Sequence, residues 1–302
     1  MNIGFIGTGV MGSRIVKRLL ASGYKVTVYN RSPEKVEPLM REGAFRAENI
    51  ATISSQSDVI CTCLSMPQDV EEVYCGSGGV LEHTNPNTVC IDFTTVGVDT
   101  SKYVAIKANE KGVDYLDAPV SGGPEGAEQG TLTIMVGGKE TSFDQVLSIL
   151  DVLGQTIKYL GPTGSGSVAK LINQYLVAVH SIAASEAMVT GTALGLNPEQ
   201  LFEILQVSYG DSKMLRRHMG DYVLDRQFEP GGAVKYVHKD IMLANPLFEQ
   251  AGLHEFSGRF AERAFQEAVD QGFEDLDMSA VIRPLEKDCD VVVQKRTVRE
   301  GK

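Results

Sequence analysis

Asn2-Ile3-Gly4-Phe5-Ile6-Gly7-Thr8-Gly9-Val10-Met11-Gly12 decides the fold. Asn2–Ile6 is a short apolar run. Residues 10–21 then carry apolar side chains at 11, 15, 16, 19 and 20, a helical period closed by Gly23. Lys25–Tyr29 alternates β-branched residues and reads as a second strand. The glycines at 7, 9 and 12 spell G-x-G-x-x-G between a strand and a helix, the context that makes this string a dinucleotide-binding fingerprint. The first glycine makes the tight turn, the second lets backbone approach a pyrophosphate, and the third lets helix and strand pack closely. Gly7, Thr8, Gly9, Val10, Met11 and Gly12 are therefore expected to bind the cofactor. The phosphates would sit on the helix N-terminus.

The end of the second strand selects the dinucleotide. An Asp or Glu there binds the ribose 2′-hydroxyl of NAD, and an Arg accommodates the 2′-phosphate of NADP. This chain reads Asn30-Arg31-Ser32, with no acid, a guanidinium and a hydroxyl. NADP is favoured over NAD, although Arg31 also reads as a solvated loop charge.

Outward from that unit, strand-like and helix-like segments alternate. Strands are expected at 59–64, 88–93, 114–118, 132–136 and 156–159, with helices near 33–42, 100–111 and 143–153. Strands separated by helix-length segments imply a doubly wound, mostly parallel α/β sheet. After Gly166 the pattern changes. Residues 167–194 contain no Pro and one Gly, and predict a long helix. Asn197-Pro198 then supplies an N-cap followed by Pro at the first helical position. The expected organisation is a dinucleotide-binding domain over 1–164 and an all-α domain over 165–302, joined by the long helix. Of the 31 glycines, 21 lie at or before Gly166, so the glycine excess belongs to the first domain.

The 302 residues carry a net charge of −11, 43% hydrophobic and 22% charged residues. That balance argues against a nucleic-acid partner, which would want a basic face. No stretch approaches 18 consecutive apolar residues and the first residues lack a basic segment, so neither a membrane span nor a secretory signal is expected. Cys61, Cys63, Cys75, Cys90 and Cys289, odd in number and unevenly spaced, read as reduced thiols in a cytoplasmic protein. Cys61-Thr-Cys63 lies in an apolar run without further zinc ligands, so no metal is expected.

Two further segments carry chemistry. In Asp117-Ala-Pro-Val-Ser121-Gly122-Gly123 a strand ends in a glycine-rich turn whose backbone N–H groups can form a nest for a carboxylate. In Gly164-Ser-Gly166-Ser-Val-Ala-Lys170-Leu-Ile-Asn173-Gln174, Lys170, Asn173 and Gln174 are spaced i, i+3, i+4 on one helix face. Hydride reduction of a carbonyl needs a donor for the developing alkoxide, and an ammonium beside two amides suits it. On spacing alone, Lys170 reads equally as an exposed helix lysine. His180, ten residues on, reads as a polar neighbour at a helix interface.

Together these segments resemble the β-hydroxyacid dehydrogenases over nearly the whole chain. The resemblance rests on residues 4–12, on 117–123, on Lys170-Leu-Ile-Asn173-Gln174 and on His238-Lys239-Asp240. It implies an N-terminal Rossmann domain, a linking helix and a helical C-terminal domain. It implies that Lys170 is the catalytic lysine and that Asn173 and Gln174 orient it and the substrate. Ser121, Gly122 and Gly123 would hold the substrate carboxylate. Leu64, Ser65, Met66 and Thr95 would contact the nicotinamide side, and Lys239 would reach the cofactor. The function implied is NAD(P)-dependent interconversion of a small β-hydroxy acid with its semialdehyde or keto acid, in a homodimer or homotetramer. An imine-reducing enzyme and a non-catalytic dinucleotide-binding module are the alternatives, and Lys170 weighs against both.

Overall fold

The structure, a computed structural model, describes residues 1–295. The chain divides into two compact units, the first Met1–Leu171 and the second from Ile172.

The first unit is built on a nine-stranded sheet: β1 (Asn2–Ile6), β2 (Lys25–Tyr29), β3 (Phe45–Arg46), β4 (Val59–Thr62), β5 (Val89–Asp92), β6 (Asp114–Asp117), β7 (Val120–Ser121), β8 (Leu132–Gly137) and β9 (Gly154–Gly161). The order β3-β2-β1-β4-β5-β6 is parallel throughout. Beyond it β8 runs antiparallel to β6, β7 antiparallel to β8, and β9 parallel to β8. The strand order reverses between β1 and β4, the switch point where open α/β sheets bind ligands.

β4 and β5 are buried at every position because helices cover both faces. One face packs Ile15, Val16 and Leu19 of helix Val10–Ala21 and Val146, Ile149 and Leu150 of helix Glu140–Leu153 against the sheet. The other packs Ile53, Val70, Tyr74 and Val104 from helices Ile50–Gln56, Pro67–Cys75 and Val98–Asn109. This is the doubly wound Rossmann-type sheet expected from the sequence. One helix differs. Residues 33–42 form a 3-10 turn, Pro33–Lys35, and a separate short helix, Glu37–Arg41. Pro38 has no N–H to continue the ladder, and its ring would collide with the carbonyl four residues back.

Helix Ser165–Ala193 has 29 residues, about 43 Å at 1.5 Å per residue. By length and composition alone it could cross a membrane. Its Leu171, Ala178, Ile182, Met188 and Val189 are buried as in the core helix of a globular protein. The second unit continues through helices Pro198–Leu205, Lys213–His218, Val234–Gln250, Gly258–Asp270 and Ile282–Asp288. Asn197 caps the first, accepting the Gln200 N–H at 3.1 Å. Among the described residues, the only β pairing there is one bridge, Ala233 to Asp277. Asp277 also accepts both arms of Arg217, at 2.9 and 2.7 Å, and the N–H groups of Gly231, Gly232 and Ser279.

Candidate active site

The parallel strands bring four of the expected segments to one edge of the first unit. Gly7 follows β1 with φ +97°, and a Cβ there would lie 2.3 Å from the Cys63 carbonyl oxygen, so the loops after β1 and β4 pass in contact. Gly12 touches the turn itself: its Cβ would lie 2.0 Å from the Gly7 carbonyl oxygen. Gly9 is the opposite case, with nothing within 4 Å of its Cβ position. Gly9 is also the N-cap of helix Val10–Ala21, which has no side-chain cap and no acidic residue in its first turn. An open cradle facing uncapped N–H groups fits a dinucleotide pyrophosphate. Thr8 is buried, whereas Val10 is 59% exposed and Met11 half-buried.

The loop after β2 is braced rather than loose. Asn30 Nδ2 donates to Thr8 Oγ1 at 2.9 Å, and its Oδ1 accepts the Ser32 N–H at 2.9 Å. Asn30 therefore ties the ribose-side loop to the phosphate loop. The Arg31 side chain is 89% exposed, 3.8 Å from Asp69, where solvent screening leaves the pair weak.

After β4, Leu64 is half-buried, and Ser65 and Met66 are exposed. Leu64 N–H donates to Thr94 Oγ1 at 2.9 Å, next to Thr95 after β5. Beneath both loops lies a carboxylate that sequence reading passed over. Asp92 is 1% exposed and accepts from Thr62 Oγ1 at 2.7 Å, Tyr115 Oη at 2.9 Å and the Thr94 N–H at 3.0 Å. Burial pushes this carboxyl up, and the hydrogen bonds pull it partly back. Its signal was an acid ending the apolar run Val89-Cys90-Ile91. Cys61, in β4, is fully buried and its thiol is pushed up by that burial, as expected of an inert core cysteine.

β6 ends at Asp117, and the expected carboxylate turn follows. Ser121 closes β7, Gly122 (φ +133°) is the N-cap of helix Gly123–Gln129, and Gly123 has φ +67°. Both torsions lie in the region glycine tolerates best. The sequence motif by itself gives Asp117 no role. Its carboxylate accepts the N–H groups of Gly164 and Ser167, both at 2.8 Å, at the start of helix Ser165–Ala193. Lys170 follows on that helix and is 7% exposed.

Asn173, Gln174 and Lys239 belong to the second unit, where they converge on Asp240. Gln174 Nε2 donates to Asp240 Oδ2, Asn173 Nδ2 donates to Gln174 Oε1 at 3.0 Å, and Lys239 Nζ lies 3.0 Å from Asp240 Oδ1. Gln174 and Asp240 are both buried. His180 lies on the exposed side of the long helix.

Known families match most of the chain. Residues 2–161 match the model of the NAD binding domain of 6-phosphogluconate dehydrogenase, and residues 164–285 that of the NAD-binding domain of NADP-dependent 3-hydroxyisobutyrate dehydrogenase. The chain is 36% identical to 2-(hydroxymethyl)glutarate dehydrogenase of Eubacterium barkeri, covering 95% of each. It is 33% identical to 2-hydroxy-3-oxopropionate reductase of Escherichia coli, over 95% of this chain and 97% of that one. Mycobacterium tuberculosis 3-hydroxyisobutyrate dehydrogenase, solved with L-serine, superposes with a TM-score of 0.84 at 29% identity, covering 94% of this chain and 98% of that one. The chain belongs to the β-hydroxyacid dehydrogenase family. It is an NAD(P)-dependent oxidoreductase of the hydroxyacid dehydrogenase and semialdehyde reductase type. An imine reductase from a Pseudomonas species is more distant, with a TM-score of 0.61 at 21% identity, a likeness of fold alone.

Proposed function

We propose that the enzyme interconverts a small β-hydroxy acid and its semialdehyde or keto acid with Lys170 as the proton-exchanging group. The observation that carries this reading is a lysine only 7% exposed in the early turns of a helix that also bears Asn173 and Gln174. When bound, the dinucleotide supplies or accepts hydride at its nicotinamide ring. Lys170 donates its proton to the alkoxide oxygen as the carbonyl is reduced. In the oxidative direction its neutral amine takes the hydroxyl proton. The turn at Ser121, Gly122 and Gly123 offers N–H groups to the substrate carboxylate. The phosphate loop, residues 7–12, would hold the pyrophosphate, with residues 64–66, Thr95 and Lys239 as further cofactor contacts. Asn173 and Gln174, linked to each other and to Asp240, serve as orienting amides.

Lys170→Ala is expected to lower turnover by about 10²–10⁴-fold while titrations still show tight cofactor binding. Near-wild-type rates in this variant would sink the mechanism. A panel of succinic semialdehyde, glyoxylate and tartronate semialdehyde with NADPH and NADH identifies the substrate class.

NADP is the favoured cofactor, supported by an exposed Arg31 and the neutral, internally bonded Asn30. Arg31→Ala should weaken NADPH binding by about tenfold, the loss of one charge-assisted contact, and leave NADH binding nearly unchanged. Equal losses for both cofactors would remove the assignment. A cytoplasmic homo-oligomer completes the reading. The long helix carries no charged residue between Lys170 and Glu186, and Val168, Ile172 and Leu176, each four residues apart, are 36%, 46% and 46% exposed. An apolar stripe of this kind marks an interaction face. Leu176→Glu should therefore reduce the mass seen by light scattering.

A further inference from the structure

We infer that Asp117 is a positioning residue for the reaction, its carboxylate fixing the helix turn that carries Lys170 against the strand leading into the Ser121-Gly122-Gly123 turn. The inference rests on Lys170 exchanging the proton, as proposed above.

Asp117 joins the two segments on which that chemistry depends. It is the last residue of β6, four positions before Ser121, and it is 1% exposed. Each carboxylate oxygen takes a different amide: Oδ1 accepts the Gly164 N–H and Oδ2 the Ser167 N–H, both at 2.8 Å. Capping alone would be served by one hydroxyl or one carbonyl oxygen. Two bonds from one planar group also resist rotation of the helix about its axis. Ser167 Oγ, 2.9 Å from Ser101 Oγ, holds the same turn to helix Val98–Asn109.

The packing leaves no slack around this clamp. A Cβ on Gly166 would lie 2.3 Å from the Met135 carbonyl oxygen and 2.5 Å from that of Asp117. A Cβ on Gly137 would lie 2.6 Å from Asp117 Oδ1 and 2.8 Å from the Gly166 nitrogen. The two glycines let backbone meet backbone, and the carboxylate fills what remains. Lys170 is three residues beyond Ser167, on the same helix face one turn along. A slip of the first turn would therefore pass directly to Lys170. Misplacement by about 1 Å can cost roughly 10²-fold in rate.

The test is a double-mutant cycle on the full-length enzyme, read by single-turnover oxidation of NADPH with the best aldehyde of the panel and by cofactor titration. Asp117→Asn keeps the size but turns an N–H toward amide donors. Alone it should lower the hydride-transfer rate by about 10–100-fold, with cofactor affinity within about twofold of wild type. In the Lys170→Ala background it should change the remaining rate by less than about threefold, because a group that acts through Lys170 has nothing left to position. Equal losses in both backgrounds, or a wild-type rate for Asp117→Asn alone, overturn the inference. A Lys170→Ala enzyme as fast as wild type instead removes the reading beneath it. Should Asp117→Asn not fold, Ser167→Ala carries the same cycle. It removes the hydroxyl by which this turn is held to Asp117 and to Ser101 and leaves the backbone unchanged.

Discussion

The glycines of the phosphate loop have different tasks, and the structure separates them. Gly9 has open space at its Cβ position and φ −71°, so alanine fits the fold. Gly9→Ala should keep its stability within about 1 kcal/mol and lose about tenfold or more in cofactor affinity, because a methyl stands where the pyrophosphate approaches. Gly12 has the Gly7 carbonyl oxygen 2.0 Å from the same position. Gly12→Ala should destabilise the protein itself by about 1–3 kcal/mol or more, seen as a lower denaturation midpoint without cofactor. Sensitivity of the two variants in the reverse order would contradict the site. The separate roles were legible in the sequence, because G-x-G-x-x-G between a strand and a helix dictates them. Asn30 was legible only as a missing acid. Its bond to the Ser32 N–H is a local turn two residues long, whereas its bond to Thr8 depends on two loops meeting, which no spacing along the chain encodes. Asp92 and Asp117 stayed without roles for the same reason: their partners lie 23–30 and 47–50 residues away, respectively, in the longer-range bonds they make.

Elements with strong periodicity were legible, and weak or short ones were not. Helix Val10–Ala21 and strands β1 and β2 have the bounds that their patterns predict. The two-residue strands β3 and β7 carry too little pattern to detect and exist because neighbouring strands present edges to them. Tertiary contact likewise decides how the ends of β4 and β5 are held. Asp92 gathers Thr62 of β4, Tyr115 of β6 and the Thr94 amide, and Thr62 Oγ1 lies 3.1 Å from Tyr74 Oη. Thr94 in turn holds Leu64, so one buried carboxylate sets two loops on the proposed nicotinamide side. Asp92→Asn leaves buried donors without acceptors and should cost about 1–3 kcal/mol in denaturant unfolding, together with weaker cofactor binding. Tyr115→Phe leaves the buried Asp92 Oδ2 without this donor and should cost about 1–3 kcal/mol, with cofactor affinity nearly intact because Thr62 and the Thr94 amide still hold Oδ1. If both variants bound cofactor alike, the carboxylate would be a packing group and not the organiser of the loops.

At the scale of the whole molecule, the two units differ in how they meet acid. In the second unit His218 is completely buried and its Nε2 has no hydrogen-bond partner. Burial first, and then the adjacent Arg217 charge, push its pKa down from 6.5 to about 3. The sign follows from linkage. Below pH 6.5 the unfolded chain takes up a proton that the folded unit refuses, so stability present above pH 6.5 is lost steadily as pH falls toward 3. Asp277 extends the loss downward. Its burial favours the neutral acid, but the two bonds and the charge of Arg217 outweigh that and hold the carboxyl below its usual value. That stability disappears only below the ordinary carboxylate range. The first unit has buried Asp92 and Asp117, both raised by burial. Each of these accepts a proton more readily when folded than when unfolded, so acid does not weaken that unit through them. The second unit should therefore melt first on acidification, starting near pH 6, with a total effect on the order of a few kcal/mol. Thermal melts followed from pH 8 to 4 by hydrogen exchange should show protection lost over helices Lys213–His218 and Val234–Gln250 while β1, β4 and β5 stay protected. His218→Gln removes the titrating ring, and its melting temperature should fall less steeply between pH 6.5 and 4 than that of wild type. An unchanged slope in that variant would mean that the acid response arises elsewhere.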